Sequence, residues 1–261
     1  RDSSTSRGLG DVYKRQPLMK SLLVLAAFPM VLMGWASCSH SGTGHAALPD
    51  PRAVDKSVPE YKNPFHPSTY AHFVARKDYR KTYDVYKDDT LLNRQPKKSR
   101  KIFVCLDEQR GQYLVDGLVA MDFPLSSGVK AYPTKTGDYA VISKKEDHAS
   151  NLYGKMYDAE GKCINYNAES TDPIPEGGRF DGSPMPYWQR LTNAGLGLHV
   201  GKVRRHPVSH GCVRLPRNVA EILYRQTSIG TPVTIQKTPL PVPEAQKIPP
   251  AQQQESGGRK Q

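Results

Sequence analysis

Between residues 101 and 235 the chain is a succession of apolar runs three to five residues long, each closed by glycine, proline or an Asp-Gly pair. Runs this short suit strands; a helix that buries one face needs a longer periodic stretch. The strand candidates are residues 102–106, 112–115, 118–121, 139–142, 196–200 and 233–235. Asp116-Gly117 is a hairpin turn signal, because a type I′ turn needs positive φ at both central residues. A second turn is expected at Gln109-Arg110-Gly111. One helix interrupts the series near residues 217–227: Val219, Ile222 and Leu223 fall at i, i+3 and i+4, and Gly230 stands just past the end. The fold expected is mainly β, a mixed sandwich or barrel with one or two short helices.

The rest of the chain divides by composition. Residues 1–18 precede the first methionine, Met19, and are expected to be a non-native leader. Residues 19–37 place Lys20 before an apolar run that ends in small residues, which is a secretory signal pattern. Trp35-Ala36-Ser37-Cys38 resembles a bacterial lipobox, departing from it at Trp35, and the resemblance implies that Cys38 is lipidated. The implied location is the periplasmic side, with a lipid anchor in the outer membrane. Residues 38–100 are expected to form a tether and a basic arm, with a short helix at 68–80 capped by Ser68. Residues 101–237 are the expected catalytic domain, and the Pro- and Gln-rich stretch 238–261 is expected to be disordered.

The formal net charge of +12 favours a polyanionic partner. No nucleic-acid motif accompanies it, so nucleic acid is not an expected partner. Cys105 and Cys163 could pair in an oxidising compartment, but Cys105 lies in an apolar run and reads equally as a small buried hydrophobe.

Chemistry concentrates in residues 198–215, which hold His199, His206, His210 and Cys212. A thiol with an ordinary pKa near ~8.5 is mostly protonated at neutral pH, so a nucleophilic cysteine needs a neighbouring base or cation. His199 ends a strand candidate, and the stretch between it and Ser209 is long enough to bring it back beside the thiol. His210 lies two residues from Cys212, on the same side of an extended chain but parallel to the sulfur rather than aimed at it. Gly211 allows tight backbone geometry and offers an amide to an oxyanion. The same four side chains could be written as a zinc set, but the one-residue spacing of His210 and Cys212 and the basic loop around His206 argue against it. No metal or organic cofactor is expected.

Ser-His-Gly-Cys-Val-Arg at 209–214, with a histidine on the strand before it, resembles the signature of the YkuD-type L,D-transpeptidases. Further landmarks follow in the same order: residues 107–117 resemble the opening hairpin, 126–128 and 132–137 the next landmarks, and 183–188 a segment flanking the substrate groove. The resemblance implies a YkuD-like fold, Cys212 as nucleophile, His199 as general base oriented through the Val200 carbonyl, and His210 in support. It implies substrate contacts at Arg214 and Ser209, with Tyr187 and Met185 beside the groove. The implied reaction takes a peptidoglycan stem tetrapeptide, expels its terminal D-alanine, and passes the acyl group through a thioester to an amine, forming a 3-3 cross-link. Water, a free D-amino acid or a wall-attached protein are alternative acceptors, and an inactive wall-binding module is the alternative outside enzymes. The stretch between His199 and Ser209 is shorter than the family's pattern.

Overall fold

The computed structural model describes residues 49–95 and 99–247; the expected leader, signal segment and Cys38 lie outside them. Among the described residues no helix is long and apolar enough to cross a membrane. The fold is mainly β, as expected from the short runs.

The first sheet is built on the predicted hairpins. Strands β2 (Arg100–Cys105), β3 (Arg110–Val115) and β4 (Leu118–Pro124) form an antiparallel meander. The β3–β4 turn carries Asp116 at φ 50° and Gly117 at φ 78°, as a type I′ turn requires. Strand β1 (Tyr86–Lys87) pairs with β4 on one edge. On the other side β13 (Pro232–Gln236) runs parallel to β2 and antiparallel to β5 (Gly137–Ala140), giving the order β1-β4-β3-β2-β13-β5. The expected turn at Gln109-Arg110-Gly111 is shifted: Gln109 takes it at φ 49°, while Arg110 and Gly111 already belong to β3.

The second sheet has the order β12-β11-β10-β6, from β6 (Ser143–Lys145), β10 (Trp188–Arg190), β11 (Gly197–Val200) and β12 (Val213–Leu215). Helix α3 (Arg217–Gln226) buries Val219, Ala220 and Leu223; of the stripe read from the sequence, Ile222 is only partly buried against the core. The main core joins Ile102, Val104, Met121 and Phe123 of the first sheet to Leu198, Val213 and Leu215 of the second and to α3. A third sheet of β7 (Ala149–Tyr157), β8 (Cys163–Glu169) and β9 (Arg179–Pro184) is mostly exposed.

Residues expected to be a solvated arm are instead packed. Helix α1 (Tyr70–Ala75) is shorter than the expected 68–80 and is capped by Thr69, whose hydroxyl accepts from the His72 amide, rather than by Ser68. Its Tyr70, Phe73 and Val74 join Tyr79, Val119 and Val242 in a second core cluster. Helix α2 (Asp89–Asn93) buries Leu91 and Leu92 in the main core. Beneath α1 lies Asp122, fully buried, which accepts from Arg110 Nε at 2.5 Å, Tyr70 and Tyr79 hydroxyls at 2.8 Å and Gln112 Nε2 at 3.0 Å. The start of the expected disordered tail is also docked: Gln246 bonds the Val119 amide at 2.8 Å and carbonyl at 3.0 Å through its side chain.

Candidate active site

Two neighbouring strands deliver the candidate residues. β11 and β12 run parallel with His199 opposite Arg214, so Cys212, just before β12, arrives beside the start of β11. The His199 ring is 6% exposed, and its Nδ1 lies 2.7 Å from the Val200 carbonyl. A carbonyl can only accept, so Nδ1 holds the proton and Nε2 keeps a free lone pair. Burial pushes the imidazole down to about 4, against the opposing pull of the Val200 hydrogen bond. The Cys212 thiol donates to the Gly195 carbonyl at 3.3 Å, and burial raises its pKa, opposed by the Gly197 amide, Arg214 and Arg190. The resting pair is therefore neutral imidazole and thiol, not an ion pair.

The loop that carries Cys212 is braced from two sides. Ser209 is 2% exposed; its hydroxyl donates to the Cys212 carbonyl at 2.5 Å and accepts from the Gly211 amide at 3.2 Å. Ser209 borders the cleft, but its one hydroxyl proton is used within the loop. Gly211 sits at φ 109°, a region side chains rarely adopt, and its carbonyl accepts from Thr134 Oγ1 at 2.6 Å. A Cβ on Gly128 would lie 2.1 Å from the Tyr132 carbonyl oxygen and 2.8 Å from Gly211 Cα, a measure of how closely the segment at 126–134 is packed against this loop.

A cleft of about 820 Å³ opens over these residues, lined by Cys212, His199, Arg214, Met185 and strands β7 and β8. Its charged lining is one-sided: Lys135, Arg190, Lys202 and Arg214 border it, and no Asp or Glu does among the described residues. Tyr187 does not reach it. At φ 55° its ring turns to Tyr224, 5.6 Å between centroids, and to the Arg217 guanidinium at 6.0 Å. Its neighbour Trp188 takes the cleft position, 6.0 Å from His199 and 5.1 Å from His148. Strand parity explains the exchange. Gln189 pairs with Leu198, which sets Trp188 against His199 on the same face. Recognising residues 188–190 as a strand beside β11 would have selected Trp188 from the sequence.

His210 is exposed and held by aromatic rings, stacked on Tyr153 at 4.3 Å and tilted against Tyr132 at 4.8 Å. His206 is exposed and faces the Pro207 carbonyl at 3.3 Å. The four side chains weighed as a zinc set thus point to separate neighbours, and no set of three His, Cys, Asp or Glu able to hold a metal occurs among the described residues. Cys105 and Cys163 are both free; the Cys105 thiol is buried and donates to the Lys237 carbonyl at 3.0 Å.

Residues 99–235 match the family model of the YkuD L,D-transpeptidase catalytic domain. The chain belongs to that family. Over 121 residues it is 31% identical to a probable L,D-transpeptidase 3 of Mycobacterium tuberculosis, a match that covers 44% of this chain and 38% of that protein. The matched stretch thus spans less than half the length of the curated relative. Among solved structures, an L,D-transpeptidase of Mycobacterium smegmatis aligns at 22% identity over 53% of this chain and 58% of its own, with a TM-score of 0.41. One from Stackebrandtia nassauensis aligns at 22% identity over 64% and 65%, with a TM-score of 0.40. Within the YkuD family match lie β2 to β12, all of β13 but its last residue, both bracing segments and every candidate catalytic residue.

Proposed function

We propose that the chain is a peptidoglycan L,D-transpeptidase in which Cys212 is the nucleophile and His199 the base. The observation that carries this is the 2.7 Å contact of His199 Nδ1 with the Val200 carbonyl: a proton on Nδ1 leaves the buried imidazole's Nε2 free to serve the cleft that also holds the thiol. In the first half-reaction His199 takes the Cys212 proton as sulfur attacks the carbonyl of the third stem residue. The negative oxygen that forms needs amide donors; the Gly211 amide already serves Ser209, so the Cys212 amide is the better candidate of the two. Collapse returns the proton to the departing D-alanine amine and leaves a thioester. An acceptor amine then attacks, loses its proton through His199, and releases the thiol with a 3-3 cross-link formed.

The one-sided charge of the cleft supports a donor bearing carboxylates, and Arg214 is the best placed cation for a charge-assisted contact. The apolar run after Met19 and the lipobox-like Cys38 support export and anchoring on the periplasmic side.

The decisive experiment is intact-mass analysis after incubation with a carbapenem and with a disaccharide tetrapeptide. Wild type, Cys105→Ala and Cys163→Ala are expected to form the adduct and release D-alanine, and Cys212→Ala to do neither. An adduct on Cys212→Ala would overturn the assignment.

A further inference from the structure

The loop that joins His199 to the nucleophile is short, and one residue ties it to a distant part of the chain. Arg205 occupies the left-handed region at φ 59°, which a non-glycine residue rarely adopts and adopts only at a cost in strain. Its guanidinium donates to the Thr82 carbonyl at 2.6 Å, to the Glu108 carbonyl at 3.0 Å and to the Arg80 carbonyl. Arg110 donates to the same Thr82 carbonyl at 3.2 Å and to that of Asp84 at 3.1 Å, so residues 80–84 turn their carbonyls toward two guanidinium groups. On its other side the loop is pinned by the Arg204 amide to Ser126 Oγ at 2.8 Å, and by the Val208 and Ser209 amides to the Ser127 carbonyl at 2.8 and 3.0 Å. Ser209 in turn holds the Cys212 carbonyl and the Gly211 amide.

We infer that Arg205 is a positioning residue for acyl transfer: by clamping the loop at 201–208 onto the main chain at 80–84 and 108, it fixes the Ser209–Cys212 backbone, and so makes the N-terminal segment part of the catalytic apparatus. The inference rests on the reading of Cys212 as the nucleophile. A glycine at 205 would relieve the left-handed strain; arginine there is strained but supplies three donor contacts to main-chain oxygens, more than a simple turn would require. The contacts run from the Arg205 side chain to main-chain carbonyls, so what they transmit is the placement of the loop and, through it, of the thiol and the amides around it.

The test uses the full chain with Arg205→Gly, which keeps the left-handed backbone and removes the clamp, and Arg205→Lys, which keeps the charge without the fork. Carbapenem acylation of Cys212, kcat and KM for a tetrapeptide donor, and alkylation of Cys212 by iodoacetamide are measured well below the melting temperature. Expected for Arg205→Gly is a loss of about ten- to a hundredfold in acylation rate and kcat, with KM little changed, because misplacement by an ångström costs that much. Alkylation by the small reagent is expected to be as fast as in wild type or faster, and Arg205→Lys to fall between. If wild type itself is not acylated at Cys212, the reading of the nucleophile fails. If wild type is acylated and Arg205→Gly matches its rate, the positioning role is overturned; should Arg205→Gly not fold, Arg205→Lys is read the same way.

Discussion

His210 and Tyr153 lie face to face, with ring centroids 4.3 Å apart and planes inclined by 17°. One ring belongs to the loop that carries Cys212 and the other to β7, so the pair fastens the exposed third sheet to that loop. An aromatic pair of this kind contributes about 0.5–1.5 kcal/mol beyond its buried area. His210→Phe is therefore expected to retain most of the acylation rate, whereas His210→Ala and Tyr153→Ala each lose about fivefold or more. Acylation kinetics decide it: were His210 the base, Phe would be as damaging as Ala.

His199 carries a definite pH signature. Burial pushes its imidazole from the ordinary 6.5 down to about 4. Between those values the unfolded chain binds a proton that the folded chain refuses, so stability is full above the upper value and is lost as pH falls toward the lower. The shift corresponds to roughly 3 kcal/mol for this nearly inaccessible ring. His199→Asn is expected to remove that part of the fall in melting temperature between pH 7 and 4, while abolishing acylation. A wild-type acylation profile with an inflection near 6.5 would count against a depressed base.

Arg214 can be displaced without being replaced. A Cβ on Gly201 would sit 2.7 Å from Arg214 Cγ and 2.8 Å from its Cδ. Gly201→Ala is therefore expected to push the guanidinium out of position and raise KM for a carboxylate-bearing donor by about tenfold, the scale of one charge-assisted hydrogen bond. Alkylation of Cys212 should be unaffected; a matching fall in both would mean that the substitution has disturbed the loop instead.

Asp122 offers the largest stability effect. It is fully buried and partnered by Arg110, itself fully buried, so its removal strands a guanidinium in the core. Asp122→Ala is expected to cost about 3–5 kcal/mol, read as a lower urea midpoint at unchanged slope. A loss below about 1 kcal/mol would mean that the carbonyls around Arg110 suffice without the carboxylate.

What was legible in the sequence had a local cause. The Asp116-Gly117 turn, the stripe of Val219, Ile222 and Leu223, and the apolar strands 102–105 and 233–235 each follow from turn chemistry or periodicity. The return of the chain beside His199 was legible, but β12 runs parallel to β11 and is not the antiparallel arm of a hairpin. The missed parts depend on partners far away. The helix at 68–80 was legible but its partner was not, because Tyr70 and Tyr79 find their use only against Asp122, and Arg110 read as a turn residue because a charge seldom enters a core. The third sheet was missed because its strands are largely exposed and carry little alternation. Tyr187 was chosen over Trp188 because residue type cannot reveal strand parity.

The order of strands in the first sheet has a bearing on how this chain reaches its native state. β13 sits between β2 and β5, with Val233 beside Ile102 and Tyr139. A chain emerging from its N-terminus can form the β2–β4 meander early, but β5 has no neighbour in that sheet until residue 236 is free. Closing so long a loop is entropically costly and slow compared with forming a hairpin. Until β13 arrives the β2 flank of the meander has no strand partner, so it is β13 that closes the sheet and gives β5 its place in it.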